Sequence, residues 1–251
     1  MTGLSVLVKK ELKEQLRSYR LLIVCAVFVL FGLAMPLMTK YLPELVELAG
    51  EDIAIELPTP TAVQAMQEYA DTMIQVGVLV AVLVTMGTIA RERERGAAAM
   101  TLTKPVGRGA FVVAKLLAAS TTFAIAIVAG GIACYAYTFV LFEEANASGF
   151  LALNLLMALF FVVCLAITLL CSSLFKNQLA AGGVALVTII VLALVSAIPW
   201  IGPYTPGKLA GWGMAFISES SDSAWRALGA SLVLIVSCVV LSWQTLQRKE
   251  L

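Results

Sequence analysis

Residues 145–175 read ANASGFLALNLLMALFFVVCLAITLLCSSLF, thirty-one positions without one charged side chain, and after Lys176 a second uncharged run covers 177–207. A helix needs about 20 apolar residues to cross a hydrocarbon core about 30 Å thick. Working outward, four more charge-free intervals reach that scale: 21–39, 72–90, 116–142 and 227–247. Every other uncharged stretch is shorter. Composition agrees, with 61% hydrophobic and 13% charged residues, against roughly 45–50% and about 25% in a soluble domain. The mean hydropathy is +0.95. A soluble chain of 251 residues could not hide this much apolar surface. The expectation is an all-α integral membrane protein, one transmembrane domain over 1–251 with six spans.

Several functions are excluded at once. Histidine is absent, which removes serine–histidine hydrolysis, histidine-ligated zinc and histidine proton relays. No GxxxxGK[ST] stretch occurs, so the chain has no P-loop of its own. A net charge of +1 leaves no nucleic-acid footprint. Cys25, Cys134, Cys164, Cys171 and Cys238 all fall in apolar spans, without metal or disulfide spacing, and read as small buried hydrophobes. No catalytic residue, metal site or cofactor is expected in the chain. The basic segment before the first span is too long for a cleavable signal peptide.

Charge sets the expected orientation. With the N-terminus in the cytoplasm, fourteen of the 17 basic residues lie in inner segments, and only Lys40, Lys208 and Arg226 lie outside. Lysine and arginine resist translocation, so this split predicts a multi-pass plasma-membrane protein with both termini cytoplasmic. Residues 1–20 form a basic amphipathic helix, with Leu4, Leu7, Val8, Leu12, Leu16 and Tyr19 on one face. Lys9, Lys10, Lys13, Arg17 and Arg20 would anchor it at the inner interface near anionic lipid; a solvated juxtamembrane helix is the alternative. It abuts the first span with no break signal.

The spans are placed at about 21–38, 72–90, 116–141, 150–174, 179–199 and 225–243. Thr61-Ala-Val-Gln64 is a capping box that starts a helix running to Ala90. Ala126, Gly130 and Cys134 form a small-residue stripe suited to close helix packing. Lys176-Asn-Gln178 turns two spans into an antiparallel hairpin. Residues 200–224 are broken by prolines and glycines yet rich in aromatics, which fits an outer re-entrant-like segment or an interfacial aromatic belt. In the inner loop 91–115, alternating charges Arg91-Glu-Arg-Glu-Arg95 precede Gly96, a short helix over 97–102, and Pro105. A short helix between two spans is a lever; a solvated topology signal is the plainer reading.

Three places resemble the permease subunits of ABC-2 type transporters. They are the basic helix ending at Arg20, the stretch ERERGAAAMTLTKPVGRGAFVVAKLL at 92–117, and the broken segment with Tyr204-Thr-Pro206 before a last span and short basic tail. The middle stretch is the specific one, although Ala97 stands where the family often has threonine. The resemblance implies an elbow helix at the N-terminus and a cytoplasmic coupling helix in 91–115. Glu92, Glu94, Arg95, Gly96, Pro105 and Arg108 would there meet separate ABC ATPase subunits that bind ATP and magnesium. It further implies pairing with a second copy or paralogue around a cavity formed by spans one, two and five. The function expected is export, with an amphipathic or lipid-like cargo preferred because the spans hold no charges for an ion path. Membrane lipids are expected contacts and nucleic acid is not. The alternatives are a non-transporting immunity or sensor subunit and an integral membrane enzyme acting on lipid or peptide.

Overall fold

The computed structural model describes residues 4–48, 59–90, 107–143, 145–218, 220 and 223–248. Within them the chain is helical, with no strand. In order the elements are α1 (Leu4–Arg17), α2 (Arg20–Leu48), α3 (Ala62–Thr85), α4 (Arg108–Phe142), α5 (Ala147–Leu174), α6 (Gln178–Val195), a 3-10 turn (Gly202–Tyr204), α7 (Lys208–Ile217) and α8 (Trp225–Arg248). Six of these, α2 to α6 and α8, are long and apolar enough to cross a membrane. They run alternately up and down. The end of the bundle beside α1 is called the near end below, and that beside α7 the far end.

Helices four and five form the centre, each with 61% of its most apolar stretch buried. Helix α2 packs along α4, α7 and α8 cover α5, and α3 fills the angle between α2, α4 and α5. In hydrocarbon there is no hydrophobic drive between helices, so close van der Waals fit decides which faces meet. The small-residue stripe of α4 supplies it: Ala126 and Cys134 are fully buried. A Cβ on Gly130 would stand 2.8 Å from the Phe28 carbonyl oxygen, and one on Gly32 would stand 2.5 Å from the Gly130 oxygen. The two backbones therefore touch at a glycine–glycine crossing. Beside it Phe28, Phe123 and Phe161 pack with ring centroids 5.6–5.9 Å apart, and Phe161 fills the space where Gly77 lacks a side chain. A polar tie crosses the core, where buried Tyr69 donates to Asn154 Oδ1 at 3.2 Å.

The hydroxyls of the spans are mostly satisfied within their own helix. Thr85, Thr168, Ser231 and Ser242 each donate to the carbonyl four residues back at 2.5–2.8 Å, which keeps these polar groups tolerable in lipid.

Four boundaries differ from the sequence expectation. Helices α1 and α2 are broken at Ser18-Tyr19, where Tyr19 has φ of 57°, a costly conformation for a bulky residue. Helix α2 continues past residue 38 to Leu48 through Pro36 and Pro43. Each proline removes one backbone bond from the helix, and the packing of α2 along α4 carries it through both. Helix α3 does begin at an N-cap, Thr61 Oγ1 accepting from Gln64 N at 3.2 Å, but ends at Thr85 and not at Ala90. Helix α4 starts at Arg108, about two turns before residue 116, and its Glu143 C-cap is left-handed with its N–H bonded to Phe139 O.

Within 200–218 the chain forms the 3-10 turn Gly202–Tyr204 and then α7. Glycines press α7 onto α5: a Cβ on Gly213 would lie 2.9 Å from Leu153 Cα, and one on Gly149 would lie 2.5 Å from Phe216 O. Between α5 and α6, Asn177 Oδ1 accepts from Leu179 N at 2.8 Å and turns the hairpin.

Candidate coupling site

Of the residues predicted to meet an ATPase, Glu92, Glu94, Arg95, Gly96 and Pro105 lie outside the described residues; Arg108 lies within them. The two ends of that segment are held at the same, near end of the bundle, each by a different neighbour.

The α3 side is held by α5. After Thr85 the chain makes a turn, and the Ser172 hydroxyl accepts from the N–H groups of Ile89 at 3.1 Å and Ala90 at 3.0 Å while donating to Met86 O at 2.8 Å. One buried serine thus satisfies three backbone groups that the end of a helix leaves open. Ser173, the next residue, bonds Thr245 at 2.9 Å and ties α5 to α8.

The α4 side is held by α8 and α1. Arg108 Nη1 donates to the carbonyls of Leu246 at 3.0 Å and Gln247 at 3.1 Å. Those are among the last carbonyls of α8, open at its C-terminus, and a cation is favoured there. Two turns further along α4, Lys115 is 2% exposed and Glu11 of α1 is 6% exposed. Lys115 Nζ lies 3.2 Å from both Glu11 carboxylate oxygens and 4.8 Å from the centroid of the Phe111 ring. Two turns on along α4, Thr122 donates to Gln15 Oε1, one turn along α1 from Glu11. Leu7, Glu11 and Gln15, four residues apart, thus form the ridge that α1 lays against α4. This departs from a purely apolar contact face: Leu16 and Tyr19 are 60% and 67% exposed.

The anchoring candidates Lys9, Lys10, Lys13 and Arg17 stand exposed on α1, and Arg20 is half-buried. Lys10 makes a looser contact with Glu11 at 3.7 Å. The sequence pattern does not announce the Glu11–Lys115 pair, because Lys115 lies at the end of the charged stretch 91–115 and reads with its topology charges. The available signal was Lys115 sitting amid VVAKLLAAS with apolar neighbours on both sides, a place where an ammonium needs a partner.

Chemically the site is a frame. It holds no cluster of three metal-capable side chains among the described residues. Its polar groups are spent on fixing helices α1, α4, α5 and α8 to the two ends of one segment.

Residues 5–205 match the family model described as ABC-2 family transporter protein. The chain is also 26% identical over 246 residues to an uncharacterized transmembrane protein, YxlG, of Bacillus subtilis (strain 168), covering 96% of this chain and 94% of that protein.

Proposed function

The chain belongs to the ABC-2 transporter family, a family of membrane components of transporters, and from that premise we propose that it is the permease half of an ATP-driven exporter at the plasma membrane. Separate ATPase subunits bind ATP and magnesium, meet the segment 92–104 from the cytoplasm, and push it. Both termini are cytoplasmic, and the near end of the bundle faces the cytoplasm.

The observation that carries this reading is the frame around the segment. Its α3 end is bonded to Ser172 of α5, and its α4 end to α8 and α1 through Arg108 and Lys115. A push on 92–104 is therefore passed to α3 and α4, and through the bonded partners to α1, α5 and α8. Energy coupling requires an element whose two arrangements differ in their affinity for the nucleotide-bound partner. The segment and its frame supply that element.

Pairing follows from which helices remain uncovered. The most apolar stretches of α2, α6 and α8 are each only 22% buried, and of these α2 and α6 are the two that pack against α3. Helices α2, α3 and α6 therefore form one open face of the bundle. Two copies, or one copy and a paralogue, close that face into a cavity lined by α2, α3 and α6. Along 21–39, 72–85 and 178–195 its walls are uncharged, and an amphipathic or lipid-like cargo suits them.

Co-expression with an ABC ATPase subunit carrying a P-loop tests the reading. The complex should purify as two permeases and two ATPases, and ATP hydrolysis should require the ATPase. Nucleotide turnover by the permease alone would contradict it.

A further inference from the structure

The far end of the bundle carries a cleft of about 620 Å³ that the coupling frame and the α2–α3–α6 face do not use. Its walls include Lys208, Arg226, Trp212, Trp225, Pro203 and Ser223. We infer that this cleft is a binding site for a phosphate-bearing anion, at the level of lipid headgroups.

Four positive features converge there. Lys208 is the first residue of α7 and Arg226 the second of α8, so two cationic side chains sit at two helix N-termini. Each N-terminus adds the positive end of a helix dipole, which favours an anion. At α7 the N–H groups of Lys208 and Leu209 already donate to Thr205 O and Pro206 O, so that end contributes its dipole and the Lys208 side chain. Arg226 is oriented by stacking, its guanidinium carbon 5.7 Å from the Tyr204 ring centroid. Among the described residues, neither Lys208 nor Arg226 forms an ion pair; the ion pairs there are those of Glu11. The third far-end cation behaves differently: Lys40 donates to Leu141 O and lies 5.4 Å from the centroid of the Phe142 ring, closing the end of α4.

The depth of the cleft points to a headgroup. Trp225 is 69% exposed and nearby Trp200 is 86% exposed. Amphipathic rings of this kind mark the membrane–water interface. Trp212 and Trp225 pack edge to face, centroids 4.9 Å apart, and form an apolar wall beside the two cations. A phosphodiester with an apolar tail matches that division, its phosphate on Lys208 and Arg226 and its tail along the tryptophans. Free phosphate would use the cations alone. The inference rests on the cleft and not on the transport reading.

The test uses the full chain in phosphatidylcholine nanodiscs, with Trp200→Phe and Trp243→Phe so that fluorescence reports Trp212 and Trp225. Short-chain phosphatidylglycerol should give a saturable emission change. Short-chain phosphatidylcholine should not. Lys208→Gln with Arg226→Gln should weaken the response by at least about tenfold, since charge-assisted hydrogen bonds are lost, with an unchanged melting temperature. The charge-conserving Lys208→Arg with Arg226→Lys should retain it, which separates loss of charge from misfolding. Inorganic phosphate that competes at the same residues would support a site for the phosphate itself; failure to compete at millimolar concentration would support a lipid. Equal response to both lipids, no saturable response, or undiminished binding by the glutamine pair would overturn the inference. So would binding gained only on Glu219→Gln with Asp222→Asn, residues outside the described set, because the cations would then serve the chain's own carboxylates.

Discussion

Replacing Glu11 by glutamine keeps the shape of the side chain and removes one charge. Lys115 Nζ lies 3.2 Å from both carboxylate oxygens and is almost fully buried. At an effective dielectric of about 20, two unit charges at that distance attract by about 5 kcal/mol. The Phe111 ring, with its centroid 4.8 Å away, and the glutamine dipole recover about 1–2 kcal/mol of this. The net loss is about 3–4 kcal/mol, in line with removing one member of a buried pair. At 1.4 kcal/mol per tenfold, α1 should open from α4 about 10²–10³ times more often. Hydrogen–deuterium exchange in nanodiscs reads this directly, as faster exchange of residues 4–17 with α5 unchanged. Lys10→Gln should change it by less than about fivefold, because that pair is at 3.7 Å with Lys10 47% exposed and exposed pairs contribute about 0–1 kcal/mol. Glu11→Met with Lys115→Met should restore slow exchange, since an apolar pair avoids the cost of burying charge. If Glu11→Gln exchanges like wild type, the ion pair does not hold α1, and the proposed path from α4 to α1 is wrong.

Other expectations follow from separate parts of the molecule. Gly130→Val should lower the melting temperature in detergent, by overpacking worth about 1–3 kcal/mol, because its Cβ would already lie 2.8 Å from the Phe28 oxygen. Gly183→Val meets nothing within 4 Å; it should leave the melting temperature of the monomer unchanged and reduce the dimer seen by light scattering, since α6 lies on the open face. In a cysteine-free background, single cysteines at 52 and 146 should react with an impermeant thiol reagent on intact cells, whereas one at 177 should not; labelling at 177 would reverse the orientation.

The six spans were legible because a bilayer imposes one strong rule: charges stay out of it, so gaps between charges mark the crossings. The α4 stripe of Ala126, Gly130 and Cys134 was legible for a related reason, since small residues at four-residue spacing let helix backbones touch. What the pattern could not carry was long-range pairing. Lys115 looks like a topology charge until Glu11, more than a hundred residues away in sequence, is placed against it. Ser172 looks like an unremarkable small polar residue until it caps the chain after Thr85. Helix ends were similarly hidden. Helix α2 runs on through Pro36 and Pro43, residues that ordinarily end a helix, and nothing around Tyr19 announces a left-handed break. The far-end cleft was half visible, as aromatics and prolines over 199–216, but the convergence of Lys208 and Arg226 required α7 and α8 to be folded against α5.

In the proposed cycle the segment 92–104 transmits the work of an ATPase to the framed helices. This is tested most directly by Glu94→Lys and Gly96→Pro, assayed for co-purified ATPase and for transport at matched membrane expression. A charge lost from a docked interface costs about 2–5 kcal/mol, and proline restricts the backbone where the chain turns into the lever. Both variants should insert normally, then either lose the ATPase or hydrolyse ATP without transport. Variants that retain the ATPase and transport like the wild type would contradict the account, leaving 92–104 a charged loop.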